Sequence, residues 1–423
     1  MERHTPHNRP SHRGARKDWL PNQPMWRCTA VLMFLLQPSG WLVGQGAGPD
    51  QPAVEVTGWI DDLASDSFQT RQEASDRLAA SGEQVLEPMR ARLKETQDVE
   101  QRARLQALVR RVEDQVLGDR MEAFIRDPDP DQDHGLKAWP AFRRLMGSNR
   151  LSKQILVEIY RQQPKLADAT LEGQDALERE VKVAAERMRQ TWLSGENVEL
   201  GDGLAMLFAG AVTQQPLGPE IESLTMRCVQ TVPLAAKIDQ RQWTKPMKNL
   251  LAAWVDRLSR QSAGNGMMLV LTRNIQAGED AARRILSEKV NDPYDFRIAC
   301  MILAKYGSVD DLTLLDKWLD DTTLYQEYVA LRAPFDPRAE PNAQMPPGGN
   351  VPIERVECRC EYRDIALAAS LVIAKVTLRD YHPMLAPDSR WVIQEDSMGF
   401  PIANPQLRQE TIDRWKAYRK EGK

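Results

Sequence analysis

Histidine is scarce in this chain of 423 residues: beyond residue 46 only His134 and His382 occur. Each stands in a loop beside Gly or Pro, outside any recognisable motif, so a nucleophile that needs a positioned base has no obvious partner. No HExxH, CxxCH or GxSxG occurs, which removes the common zinc-protease, haem-attachment and hydrolase readings. Gly264-Asn265-Gly266 leads into MMLVL without the GK[ST] of a phosphate loop. Asp and Glu are spread along the whole chain, and nothing singles out a pair for glycoside hydrolysis.

Cysteine is nearly as sparse. Cys28 precedes an apolar run instead of following it, which argues against a lipid-anchor cysteine; Cys228, Cys300, Cys358 and Cys360 complete the set. Cys300, within FRIACMILAKYG, reads as a small buried hydrophobe on a helical face. Cys358-Arg359-Cys360 has the wrong spacing for a zinc knuckle or a thioredoxin-type site. Alternation instead puts both thiols on one face of a short strand. In an oxidising compartment a disulfide is the alternative.

Aromatic residues make up only 6% of the chain and charged residues 27%, a profile suited to stacked helices. The formal net charge is −4; the first 46 residues carry six Lys/Arg against two Asp/Glu, so the remainder stands at −8. A mildly acidic chain argues against nucleic acid as the main partner, because phosphate binding needs clustered positive charge. A locally basic face is compatible with that total.

One apolar run stands out for its flanks, TAVLMFLL (Thr29 to Leu36). Arg3, Arg9, Arg13, Arg16, Lys17 and Arg27 precede it, and a small-residue stretch, GQGAG, follows. That order predicts a secretory signal peptide over residues 1–46, cleaved after Gly46 or Ala47, and so a periplasmic or secreted protein. Translation from Met25 would leave a more compact signal. An inner-membrane anchor is the competing reading, but Pro38 interrupts the apolar core well short of about 20 residues.

What the chain has in plenty is helical periodicity. Ala74, Leu78 and Gly82 recur at i, i+4, i+8, one face ending in a C-cap glycine, and Ser67 lies where an N-cap belongs. Val85, Met89 and Leu93 form a second face. Asp98 with Gln101 reads as a capping box ahead of Val99, Leu105, Leu108 and Val112. Ala299, Leu303 and Gly307 repeat the opening spacing, an internal echo that points to repeated helix pairs. Such pairs cannot bury their apolar stripes alone and stack on one another. DPDPDQDHG (Asp127 to Gly135) breaks the pattern. Its alternating Asp residues invite a calcium reading, but neither EF-hand register supplies the required Gly and Glu, so a solvated capping loop is expected. Between Arg332 and Pro352, six prolines and two glycines in 21 residues cannot continue a helix. An exposed insertion is expected there, followed by a strand over Val356 to Cys360 and an apolar helix from Arg363.

Three stretches resemble a family of secreted HEAT-like repeat proteins found in planctomycete-type bacteria. SDSFQTRQEASDRLAASGEQVLEPMR is similar to its first repeat, and AWPAFRRLMGSNRLSKQILVEIYRQQPKL to its central helices. YRDIALAASLVIAK with MGF and RQETIDRW resembles its ending, where Arg363, Asp364, Ala366, Leu367, Gly399, Phe400 and Trp415 match recurrent positions. The resemblance brings no catalytic residues with it. The expected fold is all-α: a right-handed α-solenoid of HEAT-like stacked helix hairpins, with a Pro/Gly-rich loop and a short strand or hairpin near the C-terminus. The expected divisions are a repeat module over 47–116, a central helical region over 117–331, the loop and strand over 332–357, and a helical cap over 358–423. The expected function is non-enzymatic protein binding or scaffolding in the periplasm or cell envelope. A structural envelope component, or an enzyme with an unrecognised acidic site, is the alternative. No catalytic, cofactor-binding or metal-ligating residue is nominated. The expected partner is a protein or peptide, not nucleic acid, with the membrane touched only through an uncleaved N-terminal segment.

Overall fold

The computed structural model describes residues 51–241, 243–290, 292–332, 354–382 and 384–421. The expected signal peptide and nearly all of the expected Pro/Gly-rich insertion lie outside the described residues. The chain divides into two units, Met1–Gly58 and Trp59–Lys423. Of the first, only residues 51–58 are described, within the helix Gln51–Asp62. The described residues form nineteen α-helices and five short strands, so the chain is mostly helical. None of these helices is long and apolar enough to cross a membrane.

In the second unit, Phe68–Ala80 begins where the Ser67 hydroxyl accepts the Thr70 N–H at 3.4 Å. Ala74 and Leu78 are buried on its inner face. The helix ends at Ser81, and Gly82 turns the chain with φ +67, a left-handed conformation that glycine adopts without steric cost. Gly307 ends Pro293–Tyr306 in the corresponding way, yet its φ is −70. Glycine is needed there for space, because a Cβ would stand 2.5 Å from the Leu303 carbonyl oxygen. Similar spacing thus hides two different physical requirements.

Asp98 caps the 28-residue helix Val99–Arg126, its carboxylate accepting the Glu100 and Gln101 N–H groups at 2.8 and 2.9 Å. Val99, expected on the buried face, is 79% exposed. It is the first helical residue, and the apolar stripe starts only at Leu105. The first half of this helix packs on Phe68–Ala80 and Leu86–Glu95, while Phe124 near its end joins the main core. That core is one apolar cluster running from Phe124 to Trp415. Leu200–Val212 lies inside it, buried without interruption from Gly201 to Ala211. Gly210 lets Trp254 lie flush against that helix, since a Cβ would meet the indole at 2.6 Å. Gly264 and Gly266 belong to the interior of helix Arg260–Thr272, where Asp295 and Leu258 fill the space a side chain would take. Further on, Arg260–Thr272 packs on Pro293–Tyr306, which packs in turn on Tyr362–Ile373.

The strands are β1 (Leu324–Arg332), β2 (Glu354–Glu361), β3 (Pro387–Asp388), β4 (Val392–Ile393) and β5 (Phe400–Pro401). β1, β2 and β5 form an antiparallel sheet in that order, with Tyr328 opposite Cys358 and Arg359 opposite Phe400. β3 and β4 form a separate pair. Residues 324–331, read from the sequence as the end of the central helical region, are therefore strand. Their partner lies well downstream, and local periodicity carries no record of so distant a pairing. β2 also runs across the expected division at residue 357. Cys358 and Cys360 share its buried face, and Cys360, Cys228 and Cys300 are buried thiols outside any disulfide. Burial pushes the Cys228 thiol up to about 12 and raises those of Cys300 and Cys360 as well, so these sulfurs stay protonated and inert.

Candidate functional site

The acidic loop after Arg126 is organised around cations of the chain's own. Asp127, Asp129 and Asp133 each accept a backbone N–H two residues on, at 2.8 Å. The Lys153 ammonium, almost fully buried, donates to the carbonyls of Asp127 and Asp129 at 2.8 and 2.9 Å. It also lies 4.8 Å from the centre of the Phe124 ring. Arg143 pairs with Asp131, and His134 Nε2 lies 2.7 Å from Asp127 Oδ2. The Asp129 N–H and His134 hold the Asp127 carboxyl below its ordinary range. Lys153 thus takes the place an inorganic cation would fill, and among the described residues no group of three or more His, Cys, Asp or Glu is arranged to hold a metal.

The second histidine is structural too. His382 is buried against Phe400, with ring centres 4.0 Å apart, and its Nε2 lies 2.9 Å from the Met398 carbonyl. Nearby, the end of β2 and the last helix, Pro405–Lys420, are locked by a buried ion network. Arg408 donates to Asp364 at 3.0 Å, to Glu361 at 3.3 Å and to the Arg359 carbonyl at 2.7 Å. Asp364 also accepts the Glu361 N–H at 2.8 Å, completing a capping box at the start of Tyr362–Ile373. Burial pushes the Asp364 carboxyl up to about 7 against the pull of Arg408. A carboxyl so displaced would draw attention in an open cleft, but this one is wholly enclosed. Asp364, Gly399, Phe400 and Trp415 are all buried where the sheet meets the closing helices.

The chain's electrostatic exception lies elsewhere, along the helix Thr244–Val255. Two open hollows of about 430 and 450 Å³ adjoin there and share Thr244, Lys248 and Ile275. The larger adds Arg241 and Lys245, the other Arg273 and Arg390. Five cations from three separate stretches therefore surround one trough, and no acidic residue lines it among the described residues. Lys245, Lys248 and Ala252 follow one another at helical spacing, so one face of the helix forms a wall. Ile238, Ile275 and Ala252 supply apolar floor, while Asn249, Asn274 and Gln276 bring amide groups to the rim.

The Lys248 ammonium has a second lysine, Lys305, within reach of its charge. Lys248 donates to the Asn274 carbonyl at 3.1 Å and Lys305 to the Leu271 carbonyl at 3.3 Å, at and just beyond the C-terminal end of Arg260–Thr272. The helix dipole favours positive charge there. Burial, then the charge of Lys248, lowers the Lys305 pKa. None of these residues is nominated from the sequence; the basic run RQWTKPMK could have signalled one wall, whereas Arg273 and Arg390 stand in no such run.

No family model matches this chain, and no curated protein or solved structure matches it.

Proposed function

We propose that this chain is a non-enzymatic binding or scaffolding protein of the periplasm or cell envelope, built of stacked HEAT-like helix pairs, with the Thr244–Val255 trough as its contact surface. The observation that carries this reading is the gathering of Arg241, Lys245, Lys248 and Arg390 around one open surface of a chain whose net charge is negative. Like charges brought together repel one another, so an anionic partner gains where the isolated chain loses. The serial packing of Arg260–Thr272, Pro293–Tyr306 and Tyr362–Ile373 supports the stacked arrangement. The basic segment and apolar run near Thr29 support export.

The test is affinity purification from the native envelope with the wild-type chain and with the double variant Arg241→Glu, Lys245→Glu. A stoichiometric protein partner retained by the first and lost by the second supports the proposal. No partner for either chain, with turnover of an envelope substrate, refutes it.

A further inference from the structure

We infer that the trough is a docking groove for an extended acidic peptide segment, bound through its side-chain carboxylates and its backbone amides. This deepens the binding role proposed above and rests on it. The groove wall runs over nine helical residues, Thr244 to Ala252, about 12 Å from first to last at 1.5 Å per residue. An extended peptide covers that length with about four residues at 3.3 Å each. Lys245 and Lys248 lie along that wall, with Arg241 just before it and Arg390 contributed from elsewhere in the chain. An acidic segment lying along the wall therefore meets cations of that helix and the separately contributed Arg390.

The rest of the lining favours peptide over other polyanions. Asn249, Asn274 and Gln276 offer both donors and acceptors, which match the alternating N–H and C=O groups of a peptide backbone. Ile238, Ile275 and Ala252 give apolar contact for intervening side chains. Single-stranded nucleic acid gains much of its affinity by stacking bases on aromatic rings, and no aromatic residue lines the trough among the described residues. Charge complementarity thus calls for an anion, and the amide-rich, ring-free lining calls for a polypeptide.

The experiment measures fluorescence anisotropy of a labelled peptide carrying four consecutive glutamates. Oligothymidylate and oligogalacturonate of similar length and charge serve as competitors, and all proteins are checked for an unchanged melting temperature. The full-length wild-type chain should bind the peptide at low salt and lose about tenfold in affinity at several times that ionic strength. Arg241→Glu with Lys245→Glu should weaken binding at least about tenfold, and so should Arg390→Glu, which changes a separate stretch of chain. Lys317→Glu, outside the trough, should leave it unchanged. Displacement by oligothymidylate or oligogalacturonate more readily than by unlabelled peptide would overturn the peptide assignment. Equal binding by all variants would overturn the site. If the glutamate peptide fails to bind while a native envelope partner is still captured by the wild type alone, this inference falls and the scaffold role stands.

Discussion

Replacing Arg408 by Met tests how the last helix is held. Arg408 is 7% exposed, and its guanidinium serves Asp364, Glu361 and the Arg359 carbonyl at once. Methionine keeps much of the aliphatic stem but removes the guanidinium that lies over Phe400 and leaves two buried carboxyl oxygens and one carbonyl without this donor. Truncating one partner of a buried ion pair costs about 3–5 kcal/mol when the remaining charge stays ionised. The loss should depend on pH in a defined direction. Burial places the Asp364 carboxyl at about 7, against 3.8 for an unperturbed group. The folded chain therefore keeps a proton that the unfolded chain releases between those values, and this group's effect on stability worsens as pH rises through that window. Removing Arg408 takes away the charge that pulls the value down, so the window extends upward. At pH 8 the wild-type carboxylate is ionised and paired, so the loss should be larger than at low pH by up to about 1.4 kcal/mol for the pH unit above 7. At pH 4.5 Asp364 is protonated in both folded chains, and the cost should shrink toward that of lost hydrogen bonds, about 1–2 kcal/mol. Urea unfolding followed by helical ellipticity at the two pH values measures both. An equal loss at each pH, or a larger one at pH 4.5, would show that the network is not held as described.

Leu78→Ala should cost about 2–5 kcal/mol because Leu78 is fully buried, while Gln72→Ala on the exposed face of the same helix should cost almost nothing; equal effects would mean the helical face is misassigned. Gly399→Ala should destabilise by about 1–3 kcal/mol, since the new Cβ would stand 2.7 Å from the Arg359 carbonyl oxygen and push β5 off β2. Gly118→Ala, in the interior of Val99–Arg126 with nothing within 4 Å of the added carbon, should stabilise by about 0.5–1 kcal/mol, and thermal melts should show the two glycine changes moving in opposite directions. Millimolar calcium should leave the melting temperature of the wild-type chain unchanged because Lys153 already occupies the acidic loop, and a clear rise would restore the calcium reading.

Short-range features were the legible part of this molecule. The caps at Ser67 and Asp98, the buried faces at Ala74, Leu78, Ala299 and Leu303, and the helix beginning at Pro405 all follow from side-chain spacing within a few turns. Strand β1 was not legible, because LYQEYVALR is paired along its length by β2 across the intervening segment, and the pairing rather than the local text decides its form. The acidic loop was half legible. Its failure to match an EF-hand showed in the spacing, but the ammonium that fills it comes from Lys153, twenty residues or more beyond the loop's carboxylates. The trough combines both limits. Arg241, Lys245 and Lys248 announce a basic helical face, yet on their own they describe only a solvated stripe. Arg273 and Arg390 make it a concave site, and Arg390 arrives through the tight turn between β3 and β4, where the Asp388 carboxylate accepts the Arg390 and Trp391 N–H groups at 2.7 and 2.6 Å. That turn brings the closing segment of the chain to the helix Thr244–Val255. Loosening it with Asp388→Ala should therefore weaken binding in the trough even though Asp388 does not line it, and Arg390→Glu added to that variant should cost less than in the wild-type chain.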